Sequence, residues 1–151
     1  MALFDLPVRR VMSLSPRTIA VGHHVAAAWA LMQQHRIRHL PVLDGEKVVG
    51  VLSDRDLRML QSLRGVDPAD ITVRETMQPA PYVVAPDTPL GEVAHTMAQR
   101  RIGSAVVMEA GEVVGIFTTT DALLVLDAIV TSPGTQLEAA DVEPEPMPTH
   151  H

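Results

Sequence analysis

The sequence predicts an α+β fold (α/β in its strand and helix alternation) made of two pseudo-symmetric β-α-β-β-α halves packed sheet to sheet. Three observations lead there. A seven-residue stretch, Gly-apolar-apolar-Ser/Thr-x-x-Asp, occurs twice, as Gly50 to Asp56 and Gly115 to Asp121, 65 residues apart. Residues 11–57 overlay residues 76–122 at that offset without a gap, with twelve identical positions, several times what composition would supply. Both copies also show the same change of hydrophobic period, from helical to strand-like and back. Two copies are too few for a solenoid, so two half-domains bury their apolar faces against each other.

The elements follow in order. Residues 1–10 form an N-terminal segment overlapping the first motif, residues 8–64, which Val8-Arg-Arg-Val-Met12 opens. Thr18-Ile-Ala20 reads as a short strand after a proline. Val25, Ala28, Trp29 and Met32 then stand at i, i+3, i+4 and i+7, an apolar stripe on one helix. His39–Leu43 and Lys47–Leu52 are apolar runs around Asp44-Gly45, a hairpin. A second helix starts near Asp54.

After a linker at 65–71, Thr72 to Met77 opens the second motif, residues 72–130, and the pattern returns. Its counterparts are Val83-Val-Ala85, the stripe Leu90, Val93, Ala94 and Met97, the runs Ser104–Met108 and Glu112–Phe117, and a helix from Thr119. Residues 131–151, with Pro133, Gly134, three further prolines and four acids, are expected to be a disordered tail.

Composition narrows the function. With 46% hydrophobic residues but only 3% aromatic, the core falls to Val, Ala, Leu and Met. There is no cysteine, hence no disulfide, thiol nucleophile or cysteine-ligated metal. The net charge is −6, but four of the acids lie in the tail, which has no Lys or Arg, leaving −2 for the rest. Nothing suggests a basic face for nucleic acid. The start lacks the order of a signal peptide, and the longest apolar run, Ala122–Val130, is broken by Asp127 and too short for a bilayer. A soluble, cytoplasmic protein with no membrane partner is the expectation.

Two readings of the recurring stretch use the same geometry. Ser or Thr at a helix N-cap with an acid three residues on is a capping box, which needs no ligand. A helix N-terminus also offers unpaired N–H groups and positive potential to a phosphate, while the carboxylate accepts hydrogen bonds from a ribose diol. Hydroxyl, acid and apolar strand edges together describe a nucleoside-phosphate slot.

The duplicated unit resembles a tandem pair of cystathionine-β-synthase-type (CBS) domains, a Bateman module, over roughly residues 8–130. Met32-Gln-Gln-His-Arg-Ile-Arg-His-Leu-Pro-Val42 and Val48-Val-Gly-Val-Leu-Ser-Asp-Arg-Asp56 carry the likeness most strongly. The resemblance implies clefts between the halves that bind an adenosine-containing regulatory ligand (AMP, ADP, ATP or S-adenosylmethionine). It implies phosphate contacts from Ser53 and Thr118, and ribose contacts from Asp56 and Asp121. Thr18 and Val83 would border the adenine, with Ile37, His39, Ile102 and Ser104 at the strand entrance. It further implies a non-catalytic sensor, a homodimer, and a regulated protein that the sequence does not identify.

The copies differ in charge. The first has Arg55 within the motif and Arg38 near the entrance, where the second has Thr120 and Gly103. A guanidinium forks onto phosphate oxygens, so the first site is expected to favour the more highly charged nucleotide. Arg100 and Arg101, after a helix's last turn, suit either the helix dipole or a phosphate. Trp29 reads as core. Among seven histidines, His35 and His39 are four apart, but the helix ends between them, so no metal site is expected. No phosphate-binding glycine loop or nucleophile with an adjacent base appears. A structural or interaction module with vestigial clefts remains the alternative. A small enzyme using Asp56 or Asp121 as acid–base lacks supporting residues.

Overall fold

In the computed structural model, which describes residues 2–14 and 16–132, the chain forms two four-stranded sheets and five α-helices. Of the tail expected to be disordered, residues 131–151, Thr131 is the last residue of a helix and Ser132 caps it, while residues 133–151 lie outside the described range.

The strands are β1 (Ser13–Leu14), β2 (Ile19–Ala20), β3 (His39–Asp44), β4 (Lys47–Ser53), β5 (Gln78–Pro79), β6 (Val83–Val84), β7 (Ser104–Glu109) and β8 (Glu112–Thr118). The helices are α1 (Val25–His35), α2 (Asp54–Gln61), α3 (Val73–Thr76), α4 (Leu90–Arg100) and α5 (Thr119–Thr131). The helix and hairpin starts inferred from periodicity coincide with those observed.

In each half the hairpin is antiparallel and the short strand before the long helix adds in parallel, Ile19 beside Val42 and Val83 beside Val106. The stripe on α1 buries Val25, Ala28 and Met32 with Trp29 partly covered, and that on α4 buries Leu90, Val93 and Met97. Each helix ends on an arginine in the left-handed conformation, Arg36 at φ 53° and Arg101 at φ 55°. That region favours glycine, so both turns store a little strain.

The segments that open the two copies cross over. β1 pairs with β8 of the second half, and β5 pairs with β4 of the first. Val8 is fully buried in the second core, and Val73 in the first. The crossing is symmetric down to single bonds: the Val8 amide donates to the Thr88 carbonyl at 2.9 Å, and the Val73 amide to the His23 carbonyl at 2.8 Å. An overlay aligns each opener with its own copy, whereas the packing delivers it to the other.

The glycine of the recurring stretch has its reason here. A Cβ at Gly50 would stand 2.7 Å from the Gln78 carbonyl oxygen, and one at Gly115 would run into the Met12 side chain. At Gly50 only a bare backbone lets the exchanged segment approach, whereas at Gly115 the neighbour is the flexible Met12 side chain. The sheets meet face to face through Val48 and Val51 of β4 and Val106 of β7, with Leu43, Met108 and Val113 around them.

Candidate functional site

Both recurring stretches run from the end of a hairpin strand into a helix. Ser53 and Thr118 are N-caps, and each motif is a complete capping box. The Ser53 amide and hydroxyl donate to Asp56 Oδ2 at 3.0 and 2.8 Å, and those of Thr118 to Asp121 Oδ2 at 2.9 and 3.1 Å. The entrance strand is tied to the same turn, since the Asp54 amide donates to the Arg38 carbonyl at 2.9 Å and the Thr119 amide to that of Gly103 at 3.1 Å. The capping reading is therefore correct in both copies. It occupies the hydroxyl protons of Ser53 and Thr118 and one oxygen of each acid.

What differs is the second carboxylate oxygen. At Asp121, the hydroxyl of Ser13 on β1 reaches both oxygens, at 3.1 and 3.3 Å, and the residue is only 8% exposed. At Asp56, the equivalent residue of β5 is Gln78, whose Nε2 donates to Oδ1 alone at 3.1 Å from an exposed position. Asp56 is half-buried and opens onto a cleft of about 930 Å³.

That cleft lies between the halves. From the first come His39, Ser53, Asp54, Arg55 and Asp56; from the second come Tyr82, Ala94, Arg101, Ile102, Gly103 and Ser104, with β5 along one edge. Of the twelve candidate residues, six line it: His39, Ser53, Arg55, Asp56, Ile102 and Ser104. Thr18, Ile37, Arg38, Val83, Thr118 and Asp121 do not. Thr18 and Ile37 are half-buried, Arg38 and Val83 are exposed, and Asp121 is covered as described. The opening takes the motif acid of the first copy and strand-entrance residues of both, His39 with Ile102 and Ser104.

Side-chain size explains why space opens on this side. Ala94, Gly103 and Ala122 line the cleft, and their equivalents at the offset of 65 are Trp29, Arg38 and Leu57. Trp29 packs on the first core and Leu57 lies wholly inside it. The bulk of Trp29 and Leu57 that the first copy places against its core is missing from the second, which leaves room on the cleft side.

Electrostatically the floor is mixed. Asp54 reaches Arg58 at 3.7 Å, and Asp56 is held by Ser53 and Gln78. Arg55 and Arg101 make no ion pair among the described residues. Burial lowers the pKa of His39 below its ordinary value, partly opposed by Asp54, Asp56 and Asp121, while Arg38 adds to the lowering. Among the described residues there is no cluster of groups able to hold a metal ion, and no helix is long and apolar enough to cross a membrane.

Sequence reasoning missed Ser13, Gln78, Tyr82, Ala94 and Arg101's place in the cleft. The first two were findable in principle, because the offset aligns Ser13 with Gln78 and both can donate. Ala94 stood in the apolar stripe, and only its pairing with Trp29 marked it.

A model of the CBS domain matches residues 8–62 and 72–128. The chain is 31% identical over 115 residues to inosine-5'-monophosphate dehydrogenase of Korarchaeum cryptofilum, 76% of this chain but 22% of that enzyme. It is 30% identical over 104 residues to hypoxic response protein 1 of Mycobacterium tuberculosis, 67% of this chain and 73% of that one. Among solved structures, the CBS domain pair of protein MJ0100, in complex with 5-methylthioadenosine and S-adenosylmethionine, superposes with a TM-score of 0.73 at 25% identity, covering 82% of this chain and 98% of that one. The resemblance read from the residues is borne out, as is the α+β fold: this chain belongs to the CBS domain family and is a tandem CBS pair.

Proposed function

We propose that the chain is a non-catalytic regulatory module that takes up an adenosine-containing ligand in the cleft beside Asp56 and passes its occupancy to another protein. The observation that carries this reading is an open cleft of about 930 Å³ with a half-buried carboxylate at its edge. Such a volume suits a nucleotide-sized molecule. In this reading the ribose hydroxyls donate to Asp56 Oδ1, the base lies against Ile102 and Tyr82, and phosphate faces Arg55 and the first turn of α2. The adenosine compounds bound by the MJ0100 pair support the ligand class.

A ribose on Oδ1 displaces Gln78, which belongs to the strand exchanged between the halves. Binding therefore acts on the segment that joins them, a means for the ligand to favour one arrangement over another. Leu123, Leu124, Leu126 and Val130 on α5, with Met59 of α2 and the following Leu63, are each at least half exposed. They support a homodimer through these helices. The cytoplasm, where adenosine ligands are abundant, is the proposed compartment.

Thermal denaturation against adenosine, AMP, ADP, ATP and S-adenosylmethionine tests the reading. A ligand at 100 times its Kd stabilises by about 2.7 kcal/mol, a shift of several degrees, which Asp56→Ala should remove. If none of these shifts the midpoint, the cleft is vestigial and the module is a scaffold.

A further inference from the structure

We infer that residues 78–82 form a releasable strap: the Gln78 side chain holds the Asp56 oxygen that a diol ligand needs, so the empty cleft inhibits itself and occupancy frees β5 from β4. This deepens the reading above and rests on a hydroxyl donor at Asp56. All five residues of the strap line the cleft. At its start the Met77 amide donates to the Val73 carbonyl at 2.9 Å, and at its end the Tyr82 carbonyl accepts from the Val106 amide at 2.8 Å. The first anchor is α3, whose Val73 is buried in the first core, and the second is β7 of the other half. The strap therefore joins the two halves along the cleft.

Between those anchors little holds it. β5 pairs Gln78 with Val51 and Pro79 with Gly50 and goes no further. Pro79 and Pro81 have no N–H to give a ladder. Gln78, Pro79 and Ala80 are exposed. Ala80 is left-handed at φ 55°, a conformation that its Cβ disfavours and that a following proline also opposes by favouring extended backbone. The strap is thus strained where it bends, and its side-chain fastening is the bond from Gln78 Nε2 to Asp56 Oδ1 at 3.1 Å. The other half shows the closed form of the same contact: Ser13 reaches both oxygens of Asp121, which is only 8% exposed. Gln78 takes one oxygen from an exposed position, where a ligand hydroxyl can replace it. A diol brings two donors to the carboxylate against the single amide bond it displaces.

Titration calorimetry and hydrogen–deuterium exchange of the full chain with adenosine provide the test, with Gln78→Ala and Ala80→Asn as variants. Gln78→Ala removes the competing donor and should bind adenosine about fivefold more tightly, with little change in Tm without ligand. Asparagine tolerates a left-handed backbone, so Ala80→Asn favours the fastened strap and should bind adenosine about threefold more weakly. Saturating adenosine should speed exchange of the Val51, Gln78 and Ala80 amides at least ~10-fold, and Gln78→Ala should raise it without ligand. The amides of the β7–β8 hairpin should keep their protection. Equal or weaker adenosine binding by Gln78→Ala, or slower exchange across residues 78–82 on binding, overturns the strap and leaves the Asp56 site standing. Absence of binding by both the unaltered chain and Gln78→Ala overturns both.

Discussion

Removing the two motif acids separately should have opposite effects on stability and binding. Asp56→Ala and Asp121→Ala each lose a capping-box acceptor, worth about 1 kcal/mol. The further cost at Asp121 comes from its cover. Its oxygens accept from Thr118 at 2.9 and 3.1 Å and from Ser13 at 3.1 Å, and Asp121 is only 8% exposed, so water reaches the half-buried Thr118 donors poorly, while the hydroxyl of the exposed Ser13 returns to solvent. A donor left without a partner costs about 1–3 kcal/mol. At Asp56 the exposed Gln78 amide returns to water at little cost. The expectation is a loss of about 3 kcal/mol for Asp121→Ala and about 1 kcal/mol for Asp56→Ala without ligand, or about 10 °C against about 4 °C in Tm for a domain of this size. Urea denaturation followed by circular dichroism measures the difference. Ser13→Ala combined with Asp121→Ala should lose less than the sum of the single losses, since the two share one contact. Equal losses for the two aspartates, or additive losses for Ser13 and Asp121, would refute the reasoning that β1 closes the second location.

Two further outcomes follow from the cleft's shape and charge. Ala94→Trp restores the bulk that Trp29 has in the first copy; because Ala94 is exposed on α4, stability should change by less than about 1 kcal/mol while ligand-induced stabilisation disappears, as calorimetry would show. For His39, the folded pKa lies below the ordinary 6.5 because burial penalises the imidazolium, against Asp54, Asp56 and Asp121 and together with Arg38. Arg55, Arg101 and Tyr82 share the cleft with it. The unfolded chain then takes up the proton first, so stability holds above pH 6.5 and falls as pH drops from 6.5 toward the folded pKa. Denaturation at pH 5 and 7.5 should show that loss, and His39→Gln should reduce it; an unchanged pH dependence would exclude His39 as its source.

The helices and hairpins were legible because their signals are local and were printed twice. Val25, Ala28 and Met32 repeat as Leu90, Val93 and Met97, and all six are buried as their spacing requires; of the fourth members of the stripes, Trp29 is half-buried and Ala94 is exposed at the cleft. Ser53 and Thr118 announced helix starts through the residue three positions on. The exchanged strands were not legible. β1 and β5 are two residues long, carry no alternation, and gain their place from contacts with the other half: Val8 and Val73 in its core and Gly115 and Gly50 across the sheet. The identity of the open cleft was hidden for a related reason. Both acids are intact in the sequence, and what separates them is a serine and a glutamine contributed by crossing segments. The extra room comes from Ala94, Gly103 and Ala122, small residues whose meaning depends on what the other copy has there.

Crystals of the full chain grown with ATP give the most direct test that the Asp56 cleft is the ligand site. Difference density should show one nucleotide per chain between the halves, its ribose hydroxyls on Asp56 Oδ1 and the Gln78 amide turned away. An empty cleft at saturating nucleotide, or a ligand seated beside Asp121 with Gln78 still bonded to Asp56, would contradict it.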